Sequence, residues 1–192
     1  MGSYVDKYYG EIKRLIDSVE VTGKKYGKQD FHEWIRQAAG FVRKCTSSGG
    51  KLIFIGNGAS AAISSHLATD YWKNGGMRAM AFNDAALLTC VSNDIGYKYV
   101  FEKSVEMFAD KKDILVAISS SGKSENVLRG VGAARKKGCG VITLSGFKPG
   151  NPLRRTGDIN FYVPSGQYGH VEILHHSICH CALEYILEGA KK

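Results

Sequence analysis

Residues 113–124 read DILVAISSSGKS: one acidic residue, five apolar ones, then three serines, a glycine, a lysine and a fourth serine. So short and continuous an apolar run reads as a β-strand covered on both faces. A block of the same design lies upstream, KLIFIGNGAS at residues 51–60, where the apolar run ends in Gly-Asn-Gly-Ala-Ser. Met77–Phe82, Gly140–Leu144 and Ile159–Val163 are three further candidate strands. Between them lie helical stretches at 61–73, 98–108 and 125–137, and a long one runs from about His170 to Leu187. Strands alternating with helices imply an α/β fold, a five-stranded parallel sheet with helices on both faces.

Residues before this alternation read as helical. Tyr8, Ile12, Leu15, Ile16 and Val19 recur at three- and four-residue spacing. Asp30 followed by Glu33 resembles a capping box opening a second helix through Trp34, Ala38, Phe41 and Val42. Ser47-Ser48-Gly49-Gly50 ends it. The chain is thus expected to be one domain, 1–192, with a helical part at 1–48 and an α/β core at 49–192. The leading helices either cap the sheet or pack on another subunit. Trp34, Tyr8 and Tyr9 are candidates for an apolar surface that one subunit does not cover.

Composition narrows the partners. Of 192 residues, 44% are apolar and 23% charged, the balance of a folded soluble chain. No run approaches the ~20 apolar residues of a membrane span, and the first residues lack an apolar signal core. Five cysteines, with no Cys-x-x-Cys, read as reduced thiols of a cytoplasmic protein. The net charge of +8 raises nucleic acid as a partner. The basic residues are dispersed, however, as in Lys24-Lys25, Lys111-Lys112, Lys136-Lys137, Arg154-Arg155 and Lys191-Lys192. This argues against nucleic acid and suits a small anionic substrate as well.

In an open parallel sheet, ligands bind beyond the carboxyl ends of the strands. Both glycine- and serine-bearing loops follow strands directly and lead into helices. Ser119-Ser120-Ser121-Gly122-Lys123-Ser124 offers four hydroxyls and backbone N–H groups where a helix dipole favours an anion. Neither loop has the spacing of a dinucleotide fingerprint or of a triphosphate loop. Together they favour a phosphate monoester.

A metal signal lies on the last helix. Glu172, His176 and His180 stand at i, i+4 and i+8 and share a face. His66 and Asp70 form another i, i+4 pair on the helix after Gly58. Imidazole and carboxylate at that spacing suit zinc. His175 sits about 100° around from His176, so one of the two is a packing histidine. His32 and His170 have no partner pattern and read as structural.

Gly56-Asn57-Gly58-Ala59-Ser60, Val91-Ser92-Asn93-Asp94 and Ile118–Ser124, in that order, resemble successive motifs of the sugar isomerase (SIS) domain. The resemblance is closest to the phosphoheptose isomerase branch and covers essentially the whole chain. It implies a flavodoxin-like sheet and a homotetramer with active sites between subunits. It also implies that Ser119, Ser120, Ser121 and Ser124 hold the sugar phosphate, with Asn57, Gly58 and Ser60 at the sugar. Asp94 and Glu172 would lie close to the substrate. His66, Asp70, Glu172 and His180 match the family's zinc positions, and Asp70 and His180 its acid–base pair. Three departures stand out. Asp70 replaces a glutamate, Glu172 replaces a neutral glutamine, and Tyr168-Gly169-His170 lacks the family's acidic residue before the last helix. Spacing alone favours His176 as a ligand, whereas the resemblance favours Glu172.

The reading that follows is an aldose–ketose isomerase. It would convert D-sedoheptulose 7-phosphate to D-glycero-D-manno-heptose 7-phosphate through an enediol(ate), for heptose biosynthesis. The alternatives are a non-catalytic SIS scaffold that binds a phosphosugar or a protein, and an isomerase of another phosphorylated ketose.

Overall fold

The computed structural model describes residues 3–23 and 30–190, so the basic pairs Lys24-Lys25 and Lys191-Lys192 lie outside the described residues. Among the described residues, six strands form one sheet: β1 (Glu20–Gly23), β2 (Leu52–Gly56), β3 (Ala79–Ala81), β4 (Ile114–Ser119), β5 (Gly140–Ser145) and β6 (Ile159–Tyr162). The helices are α1 (Tyr4–Ile16), α2 (Phe31–Ser47), α3 (Ala59–Lys73), α4 (Ala85–Asp94), α5 (Val100–Phe108), α6 (Glu125–Lys137) and α7 (Tyr168–Ala190). The sheet order is β1-β6-β5-β4-β2-β3.

This corrects the expected five-stranded parallel sheet. β2 to β6 are parallel to their neighbours, but β1 pairs antiparallel with β6, Glu20 opposite Tyr162 and Gly23 opposite Ile159. The expected helical N-terminal part therefore contains an edge strand. α1 stops at Ile16, and Val19, Val21 and Thr22 bring β-branched side chains that suit a strand better than a helix. Gly23 is needed there, because a Cβ would strike the Trp34 ring.

The helix starts follow local chemistry. Ser3 and Asp6 close a full capping box on α1. On α2, Asp30 accepts the Glu33 N–H at 2.8 Å, but the reciprocal half is missing. The Glu33 carboxylate is taken instead by Arg36 and Gln37. α4 is a helix the apolar pattern did not reveal. None of its residues is buried, though Leu87, Leu88 and Val91 rest against the core.

Side-chain alternation along the strands builds two cores. Leu52 and Phe54 of β2, with Val116 and Ile118 of β4, face α1, α2, α3 and α7. Ile53, Ile55, Leu115 and Ala117 face α5 and α6. Trp34 belongs to the first core at 1% exposure, so it is not the uncovered apolar surface expected of it. Tyr9 is exposed, and Tyr8 is half-buried against the ring of His170.

Candidate active site

β2 and β4 are neighbours in the sheet, yet β2 continues to β3 on one side and β4 to β5 on the other. The chain order reverses between them. At such a point the loops leaving two adjacent strands diverge and open a crevice. Gly56 pairs in register with Ile118, so the glycine loop and the serine loop leave the sheet side by side.

In the first loop, Gly56 lets the opening turn of α3 close down, since a Cβ would collide with Ser60. Gly58 precedes α3 with φ +55, a left-handed conformation that glycine adopts without strain. Ser60 is buried, whereas Asn57 is half-buried at the crevice. Its side chain is fixed from two directions. Asn57 and Asn126 exchange amide hydrogen bonds at 2.9 Å, and the Tyr97 hydroxyl donates to Asn57 Oδ1 at 2.8 Å. Neither Asn126 nor Tyr97 carried a pattern in the sequence that singled it out. Asp94, at the end of α4, is exposed and accepts hydrogen bonds from Asn93 and Cys90. Its segment reaches the loop through Tyr97.

In the second loop, Ser119 Oγ and Ser124 Oγ lie 3.1 Å apart, and Ser121 Oγ accepts the Lys123 N–H at 3.3 Å. Ser124 stands at the start of α6 but does not cap it with its side chain. The hydroxyl of Ser120 is buried and has no partner among the described residues. A buried hydroxyl left unpaired costs about 1–3 kcal/mol, and a ligand oxygen would recover that. Gly122, with φ +63, packs directly on Asn151, which in turn bonds the loop after β5.

α3 and α7 bring the histidines together. His66 Nε2 lies 3.1 Å from Asp70 Oδ2 and 3.2 Å from His180 Nε2. His180 Nε2 is 3.0 Å from His176 Nε2 and 3.8 Å from Asp70 Oδ2. The shorter carboxylate of Asp70 therefore still reaches both histidines. The ring nitrogens of His66, His176 and His180 all fall within 4.8 Å of one another. Glu172 is not part of that group. Partial burial raises its carboxyl above the ordinary range. Burial, then the neighbouring His180 and His66, lowers His176.

His175 is the packing histidine. It is fully buried, held to the Ser145 carbonyl at 3.1 Å, and pushed down to about 4 by burial. His170 is buried against Tyr8, and His32 is exposed, both apart from the site.

A model of the SIS domain matches residues 7–146 of the chain. Phosphoheptose isomerase of Proteus mirabilis is 34% identical over 196 aligned residues, covering 98% of this chain and all of that protein. Among solved structures, phosphoheptose isomerase GmhA from Neisseria gonorrhoeae superposes with a TM-score of 0.81 at 31% identity, covering 95% of this chain and 97% of that one. A phosphoheptose isomerase from Francisella tularensis superposes with a TM-score of 0.79 at 27% identity, covering 97% of this chain and all of the other.

Proposed function

The chain belongs to the SIS domain family, in its phosphoheptose isomerase branch, and from that premise we propose that it converts D-sedoheptulose 7-phosphate to D-glycero-D-manno-heptose 7-phosphate. It is an aldose–ketose isomerase. The observation that carries the reading is the meeting of His66, Asp70 and His180 across α3 and α7, in a chain whose glycine and serine loops leave β2 and β4 side by side.

The serine loop takes the phosphate. Ser119, Ser121 and Ser124 present hydroxyls at the start of α6, and the unpaired Ser120 hydroxyl joins them. Anchoring the phosphate fixes the far end of the sugar and so orients the reacting carbons. Asn57, Gly58, Ser60, Asp94 and Glu172 line the sugar. Asp70 removes a proton from C1 of the ketose while His180, in the metal-free site, gives one to the C2 oxygen, forming the enediol. Return of the proton to C2, with loss of the O1 proton, completes the aldose.

The donors suit zinc, since imidazole nitrogen and carboxylate oxygen are its usual ligands and here they converge from two helices. His66 and His180 would hold the ion, with Asp70 against both. It would polarise the carbonyl and stabilise the enediolate charge.

The purified chain, incubated with sedoheptulose 7-phosphate in deuterated water, should form a heptose phosphate carrying deuterium at C2 by NMR. Phosphosugar binding without turnover would leave the non-catalytic scaffold as the function.

The assembly we propose is a homotetramer with shared sites. Exposed aromatic side chains support it: Tyr4 and Tyr9 on α1, Trp72 on α3, and Tyr185 on α7, all in one helical layer. Light scattering should give the mass of four chains, and a monomer at micromolar concentration would overturn it. We propose a cytoplasmic location, where a reducing compartment would keep the five free cysteines as thiols.

A further inference from the structure

Resting on the metal-assisted isomerase reading, we propose that this chain binds its divalent ion through three histidines, His66, His176 and His180, and that Glu172 stays off the metal. The carrying observation is the crowding at one nitrogen. His180 Nε2 has His176 Nε2 at 3.0 Å and His66 Nε2 at 3.2 Å. An imidazole nitrogen carries either one hydrogen or one in-plane lone pair. It makes one straight hydrogen bond and leaves the second neighbour unmatched. A divalent ion among the three rings removes the conflict, because each nitrogen then gives its lone pair to the ion.

The spacing agrees. Two nitrogens each 2.0–2.1 Å from a tetrahedral zinc are about 3.3 Å apart. Both contacts at His180 lie within a few tenths of an ångström of that edge.

The rotation of α7 selects His176 over Glu172. His175 points inward to the Ser145 carbonyl, and the Tyr71 hydroxyl of α3 donates to the Cys179 carbonyl at 3.2 Å. These two bonds fix the helix so that His176 and His180 lie over His66, whose ring centroid is 5.0 Å and 5.2 Å from theirs. Glu172 stands one turn earlier, about 6 Å back along the axis, on the side of the sheet's carboxyl edge. With His180 committed to the ion, Asp70 is the carboxylate left beside it for proton transfer.

The test titrates the chelator-stripped protein with Co²⁺, followed by visible absorption, whose intensity reports low coordination number. The wild type should take one ion per chain. His176→Ala and His176→Gln should each bind at least tenfold more weakly and with a weaker band, and Glu172→Gln should bind as the wild type does. Wild-type binding in both His176 variants, or loss of the ion in Glu172→Gln, would overturn the proposal. A wild type that takes no Co²⁺ yet isomerises sedoheptulose 7-phosphate in excess chelator would overturn it too, and leave the isomerase intact. Ion binding that depends on His176, without any turnover, would sustain the ligand set and sink the isomerase reading.

Discussion

Asn57 and Asn126 bind each other reciprocally, each Nδ2 donating to the other's Oδ1 at 2.9 Å. One sits in the glycine loop after β2 and the other in the first turn of α6, so the pair ties that loop to the helix that follows the serine loop. Asn126 Oδ1 also accepts the Val127 N–H. Asn126 is thus a positioning residue that aims Asn57.

Asn126→Ala removes both amide bonds to Asn57 and leaves its Nδ2 without that acceptor, the Tyr97 hydroxyl still donating to Oδ1. A lost bond of this kind costs about 1–3 kcal/mol. The KM for the phosphosugar should rise roughly tenfold or more by that estimate. Steady-state kinetics with an unchanged KM would show that Asn57 needs no such support.

Replacing Ser121 and Ser124 together by alanine should lower phosphosugar affinity by more than tenfold, since hydrogen bonds to charged groups contribute about 1.5–3 kcal/mol each. Ser124 does not cap α6 with its hydroxyl, so helix stability should survive the change. Calorimetric titration with the product, alongside a melting curve, separates the two effects.

His175 should shape the acid limb of stability. Its folded value, about 4, lies below the ordinary 6.5, so folding favours the neutral ring. That contribution is complete above pH 6.5 and is lost as the pH falls towards 4, on the order of 3 kcal/mol across the window. Urea midpoints measured against pH should fall through this range, and His175→Gln should flatten the fall. An equal slope in the variant would assign the acid sensitivity to other groups.

The central strands were legible because burial on both faces leaves an unbroken apolar run. Lys51–Ile55, Asp113–Ile118 and Gly140–Leu144 each fall within a residue or two of β2, β4 and β5. β1 escaped because a four-residue edge strand is half-exposed and follows directly on a helical stripe. α4 escaped for a different reason: its contacts are shallow, so no face of it is clearly apolar. At the candidate site, the serine and glycine loops could be read from their position after strands. Which of Glu172 and His176 meets His66 could not. That depends on the rotation of α7, set by His175 and Cys179 through bonds to Ser145 and Tyr71. The Asn126 bond to Asn57 likewise joins residues far apart in the chain and had no local signal.

The edge strand has a consequence for how the chain is made. β1 can pair only with β6, and Glu20 also meets Arg154 in an ion pair at 2.7 Å. Tyr8 of α1 rests on His170 of α7. Its strand partner, its ion pair and its contact with α7 are therefore synthesised near the end, whereas Trp34 of α2, which packs on Gly23, follows it directly. A nascent chain emerging from the ribosome carries its β1 edge unpaired until β6 follows. Closing so long a loop is the slow kind of contact in folding. The β1 edge is therefore expected to join the sheet late, after the parallel strands.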